Sequence, residues 1–168
     1  FGTAPAMSEA QQNIADNLRV LSQTTLNEGQ RKDLLAGWGI VAAEEAMASG
    51  AFEVMIGVKR DPQLGLVLTY GMGGIFADVM TDVALRVCPI SKQDAQEMVD
   101  EVSGSRILSG LNGQPKRDIE SLIETLVRVS DLAINLEGIV DEIVINPMAV
   151  LPDGQGVQAV EAQVTLAP

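Results

Sequence analysis

Apolar positions along the chain recur in two rhythms, and the switch between them divides it into elements. Ala10, Ile14, Leu18 and Leu21 step by three or four, which places one apolar face on a helix capped by Ser8. The Gly/Pro/Ala-rich residues Phe1 to Met7 ahead of it read as a linker. Asn27 followed by Gln30 forms a capping box for a second helix, which carries Leu34 and Leu35 and ends near Gly37. Trp38, Ile40 and Val41 then lead toward a short extended piece around Glu45 to Ala48.

From Phe52 the rhythm shortens. Phe52 to Val58 is apolar with little alternation, as a strand covered on both faces would be, and Arg60-Asp61-Pro62-Gln63 is a turn. Leu66 to Tyr70 reads as a strand, Gly71, Gly73 and Gly74 as a glycine-rich turn, and Asp82 to Val87 as a strand running into Pro89. Ser91 to Val102 is helical: Ser91 caps, Asp94 complements the helix dipole, Ile90 and Ala95 staple the entry, and Gly104 ends it. Ser105 to Gly113 is a connection bearing the apolar pair Ile107-Leu108. A long helix follows from Asp118 to Asn135, with Ile119, Leu122, Ile123, Leu126, Val127, Ser130, Ala133 and Ile134 on one stripe. Ile143 to Ile145 is a strand stopped by Asn146-Pro147; Met148 to Leu151 continues extended, Pro152-Asp153-Gly154 turns, and Val157 to Leu166 returns as the partner. This order predicts an α/β fold with a mixed sheet flanked by helices.

Charge narrows the partners. With 11 basic and 23 acidic residues the formal net charge is −12, which opposes a nucleic-acid surface. No apolar run reaches the ~20 residues of a membrane span and no signal peptide is visible, so a cytoplasmic location is expected. Cys88 has no disulfide partner in the chain, and its neighbours Val87 and Pro89 favour a core thiol.

Three places carry candidate chemistry. Gly73 and Gly74 can present backbone N–H groups to an anion, although a plain connection satisfies the same spacing. Arg86 lies between Leu85 and Val87 and so points to the opposite strand face; a phosphate contact and an ion pair with a strand neighbour both remain open. Glu53 can hold backbone or lysine partners or simply reach solvent at a strand end. In the last third, regular pairing brings Asn146 and Glu161 close across two strands, an oxygen pair suited to Mg²⁺. Glu142, Val144 and Asn146 alternate onto one face.

Gly71-Met72-Gly73-Gly74-Ile75-Phe76, Asp82-Val83-Ala84, Arg86 and Pro89 resemble the signature of the ADP-forming (NDP-forming) acyl-CoA synthetases, in the ATP-grasp portion related to the succinyl-CoA synthetase β chain. Glu53 to Gln63 resembles that family's strand before the glycine loop, and Glu142 to Met148 its carboxylate-x-Asn-Pro metal strand. The resemblance implies the carboxy-terminal lobe of an ATP-grasp fold over 50–168, an opening segment over 27–49, and a linker and helix from a preceding CoA-ligase-like domain over 1–26. It implies phosphate contacts at Gly73, Gly74, Arg86 and Glu53, and magnesium held by Asn146, Glu161 and Glu142.

The implied reaction joins a carboxylic acid to CoA with ATP, giving ADP and phosphate through acyl-phosphate and phosphohistidine stages. CoA-binding or ligase domains or subunits of the same enzyme are the implied partners, in a homo- or hetero-oligomer. Four departures stand against the pattern: Asp78 replaces Glu, Thr81 replaces Lys, Val144 occupies an acidic position, and Glu161 replaces Asp. The nucleotide-binding half of the grasp, with its phosphate-binding lysine and histidine segment, is also missing between Ala48 and Glu53, and the chain has no histidine. A non-catalytic regulatory or assembly module that keeps the lobe fold is therefore the alternative expectation.

Overall fold

A computed structural model gives the fold and describes residues 4–43, 52–73, 82–110, 113 and 115–168. Helix α1 (Glu9–Arg19) begins where Ser8 accepts from the Gln11 N–H while the Gln11 side chain returns to the Ser8 N–H, and α2 (Glu28–Gly37) repeats the arrangement with Asn27 and Gln30. Strands β1 (Phe52–Asp61), β2 (Gly65–Met72) and β3 (Val83–Val87) form a meander that leads into α3 (Lys92–Glu101), capped by Ser91 with Asp94. A 3₁₀ helix (Ser103–Ser109) precedes α4 (Ile119–Asn135), and β4 (Val140–Val150), β5 (Val157–Ala159) and β6 (Ala162–Leu166) finish the chain.

The sheet order is β3-β2-β1-β4, with β5 and β6 both paired to β4. Every pairing between these strands is antiparallel; the parallel contacts beside them are isolated bridges, Ala42 with Ala159 and Glu137 with Val140. Ile56 faces Tyr70 on one side and Ile145 on the other, while Val58 faces Leu68 and Ile143, and all six are buried against α4 and its neighbours. Burying each large apolar side chain contributes about 1.5–3 kcal/mol, so this face holds the fold together.

Several expectations change. β1 is buried on alternate residues, Val54, Ile56 and Val58, rather than on both faces, because helices cover one side of an antiparallel sheet. β4 does not stop at Asn146-Pro147. It passes through a bulge there, with Ile145 and Met148 opposite Ile56 and Val54, so three steps of β4 match two of β1. The cis peptide of Pro147 lies within the bulge. The returning strand is split into β5 and β6 by Val160 and Glu161.

The connection after α3 is the 3₁₀ helix, in which Leu108 is fully buried and the Ser105 hydroxyl meets the Tyr70 hydroxyl at 2.6 Å. On α4 the buried face includes Thr125, Val129 and Leu132, while Val127 and Ile134 are only half-buried, a rotation that turns the helix toward the sheet. Ser130 is completely buried and accepts from the Ile90 N–H at 3.0 Å, which explains the polar break in the stripe. At the amino end, Met7 packs on the core and the Pro5 carbonyl accepts from Asn135 at 3.0 Å, so these two residues are docked rather than free linker. The extended piece expected at Glu45 to Ala48 lies outside the described residues, as does the junction 44–51.

Candidate functional site

Antiparallel pairing keeps partnered residues on one side of a sheet, so register assigns every candidate to a face. Val144 pairs with Gly57 and Gln163, and Glu142 with Lys59 and Thr165, all on the side away from α4. Asn146 follows Ile145 on that same side, as alternation predicts. The Asn146 N–H donates to the Glu161 carbonyl at 3.0 Å, and the Pro147 carbonyl accepts from Val160 at 3.0 Å. The bulge in β4 thus holds the β5–β6 link, and with it Glu161, beside Asn146.

Both residues line a cleft of about 640 Å³ whose opposite wall is α2. Val144 lies on its floor, and Glu28, Arg31 and Lys32 project from the helix. Glu142 shares the sheet face but does not line the cleft. Two oxygen donors meet the need of Mg²⁺, which takes one or two protein oxygens and fills its octahedron with water and phosphate. The apolar Val144 between Glu142 and Asn146 adds no oxygen donor. Among the described residues no group of three or more His, Cys, Asp or Glu gathers to hold a metal by itself.

The other candidates sit elsewhere. Arg86 pairs in register with Leu68, whose line continues through Val58 to Ile143, so it lies on the helix-covered face, opposite the cleft side. Its guanidinium is held by Glu101 and by Glu97 at 3.7 Å on α3, and donates to the Leu85 carbonyl at 2.8 Å. The Glu101 hydrogen bond raises the Arg86 pKa further, and Arg86 in turn lowers that of Glu101. The ion pair left open in the sequence therefore exists, with a helix rather than a strand neighbour. The Glu53 side chain is exposed on β1, and its carbonyl accepts from the Gly73 N–H at 3.2 Å. A Cβ at Gly73 would stand 2.4 Å from the Val54 carbonyl oxygen, so glycine is required there by backbone approach. Gly74, Asp78 and Thr81 lie outside the described residues. Cys88 is buried, and burial pushes its thiol pKa up, as suits a core position.

Arg31 and Lys32 escaped the sequence reading. Their signal was helical spacing: Arg31 is three residues before Leu34 and Lys32 three before Leu35, both buried leucines, so the cations flank the inward side of α2. Arg31 donates to the Leu26 carbonyl at 2.8 Å, and Lys32 approaches Glu28 at 3.2 Å.

The ATP-grasp domain family matches residues 38–166. The chain is 39% identical over 114 residues to the Pyrococcus furiosus acetate–CoA ligase (ADP-forming) II subunit beta, covering 68% of this chain and 48% of that protein. It is 38% identical over 135 residues to the ligase I subunit beta of the same organism, covering 80% and 56%. The chain thus spans about half the length of these relatives. Among solved structures, Ca. Korarchaeum cryptofilum ACD1 in complex with coenzyme A superposes with a TM-score of 0.65 at 36% identity, over 71% of this chain and 52% of that one. A dinucleotide-forming acetyl-coenzyme A synthetase 1 from the same organism, at 22% identity, gives a TM-score of 0.82 over 93% and 99%, a likeness of fold. The chain belongs to the ATP-grasp domain family, as does the ATP-grasp portion of the ADP-forming acyl-CoA synthetases.

Proposed function

We propose that this chain forms the floor of the nucleotide-phosphate site in an acid–thiol ligase, which makes acyl-CoA from a carboxylic acid, CoA and ATP and releases ADP and phosphate. The observation that carries the reading is the placement of Asn146 and Glu161 side by side in the cleft, on the side of the sheet away from α4 and facing α2. Asn146 and Glu161 would hold the magnesium ion, and Glu142, on the same sheet face farther along β4, would add a carboxylate toward it. When bound, Mg²⁺ neutralises charge on the transferring phosphoryl group. The Gly73 N–H is engaged by the Glu53 carbonyl, so of the two glycines the backbone contact to phosphate is assigned to Gly74 alone. The histidine relay and the CoA pocket belong to other parts of the enzyme, in the same chain or in partner subunits, and the assembly works in the cytoplasm. The β-subunit relatives support partner subunits, and the relatives' names support an acyl-CoA product.

A second reading is favoured by Val144, which stands where the resemblance implies an acid. Under it the lobe is a regulatory or assembly module that has lost the metal. Isothermal titration of the full-length protein with ATP, with and without Mg²⁺, separates the two. Expected is Mg²⁺-dependent binding that Asn146→Ala weakens about tenfold or more, since even residues one step removed from a metal change affinity 10–100-fold. Absence of binding at millimolar nucleotide would overturn the ligase reading and leave the module.

A further inference from the structure

A polyanion entering a protein of net charge −12 needs local cations. All 11 lysines and arginines of the chain lie among the described residues, and the two that line the cleft are Arg31 and Lys32. Arg86, the arginine singled out from sequence, is on the other face of the sheet and engaged by two glutamates. Arg60 is engaged by Glu137 and Asp141, and Lys92 by Glu120.

We propose that Arg31 and Lys32 on α2 are the protein's cationic contacts for the phosphate chain of the nucleotide, facing Asn146 and Glu161 across the cleft. This rests on the nucleotide reading above and assigns it a binding wall. The two residues are suited to the task in different ways. Among the described residues Arg31 donates to the Leu26 carbonyl, and a guanidinium has five N–H donors in a fork that matches phosphate oxygens. Among the described residues Lys32 is paired with Glu28 one turn earlier, an exposed contact of the kind that contributes little and exchanges readily for a phosphate. Leu34 and Leu35 fix α2 against the core, so both cations are carried on a rigid element rather than a loop. Metal and cations then approach the phosphates from opposite walls.

The test uses the full-length protein, with inorganic tripolyphosphate in the absence of metal, MgATP, and Mn²⁺ alone as probes. Arg31→Gln and Lys32→Gln are each expected to weaken tripolyphosphate and MgATP about tenfold, the size of a lost charge-assisted hydrogen bond. Mn²⁺ affinity, read by electron paramagnetic resonance, is expected to be unchanged. Arg31→Lys keeps the charge and loses the fork; an intermediate loss with an unaltered melting temperature ties the effect to phosphate geometry rather than folding. Asn146→Ala is expected to do the converse, losing Mn²⁺ while retaining tripolyphosphate. If the α2 variants bind both phosphate probes as tightly as the unaltered protein while Asn146→Ala weakens MgATP, the cationic wall is overturned and the nucleotide reading survives. If the unaltered protein binds none of the probes, both fall.

Discussion

Replacing Asp118 by alanine is expected to loosen two parts of the molecule at once. Asp118 caps α4, accepting from the Ser121 N–H at 3.1 Å and the Ser121 hydroxyl at 2.9 Å, and its second oxygen also accepts from the Gly156 N–H at 2.8 Å in the β4–β5 connection. Only 5% of the residue is exposed. Loss of an N-cap costs about 0.5–2 kcal/mol, and the half-buried Gly156 N–H left without its acceptor adds the lower part of the about 1–3 kcal/mol that a fully buried one costs. Together the expected loss is about 2–4 kcal/mol, a large part of the ~5–15 kcal/mol that holds a domain folded. Urea denaturation measures it, with the slope held constant across variants so that the midpoint reports stability.

Acid titration adds a second check at Asp118. Burial raises the carboxyl's pKa, but hydrogen bonds from the Ser121 and Gly156 backbone and the Ser121 hydroxyl outweigh it, so the pKa sits below the ordinary value of 3.8. A depressed pKa means the stabilisation is fully present above that value and is lost as pH falls through the lower, folded-state one. Asp118→Asn keeps an acceptor but no titratable charge, so its stability gap from the unaltered protein should close in that acid range. An alanine variant within about 0.5 kcal/mol of the parent, the usual scatter of surface substitutions, or a gap that stays constant through the acid range, would refute the reasoning.

Tyr70 is the single tyrosine, and burial pushes its pKa up to about 12. Absorbance near 295 nm should therefore titrate with a midpoint about 2 units above that of the unfolded chain, whose value is 10.0. Because the folded state keeps the proton longer, stability is complete below pH 10.0 and falls as pH rises toward about 12; a midpoint near 10 in protein that retains its circular dichroism would contradict the burial. Gly73→Ala would bring a Cβ to 2.4 Å from the Val54 carbonyl oxygen. It should cost about 1–3 kcal/mol, as overpacking does. Alanine at Gly71 meets Val83 Cγ1 at 2.9 Å and the Asp82 carbonyl oxygen at 3.2 Å, both looser than the contact at Gly73, and should cost less; thermal melts that rank the two the other way would count against the assigned backbone approach.

Helix starts were legible because a cap is chemistry among neighbours: Ser8, Asn27 and Ser91 each needed only their own first turn. The alternation that places Glu142, Val144 and Asn146 on one face was equally local, and so was the approach of Asn146 to Glu161. What escaped depended on partners distant in the chain. The path of β4 through Asn146-Pro147 is set by β1, which supplies hydrogen bonds on both sides of the bulge. The buried side of α4 turns toward Val129 and Leu132 because the sheet beneath it decides which residues touch. Arg86 met Glu97 and Glu101 only once α3 had folded back over β3, and Arg31 and Lys32 became a wall only when α2 came to rest beside β6.

The bulge in β4 has a meaning for how this strand tolerates change. Before it, Ile143 and Ile145 point to the core; after it, Met148 and Val150 do, so odd positions give way to even ones within a single strand. The extra residue works as a phase shifter that lets one strand bury both its ends and still turn Asn146 outward. Shortening the Asn146-Pro147 step by one residue would preserve the composition of the strand almost entirely and still leave its two halves out of step, with either Met148 and Val150 or Ile143 and Ile145 facing away from α4. For β4 the count of residues is a stricter requirement than their kind, and variation by substitution should be admitted there far more readily than variation in length.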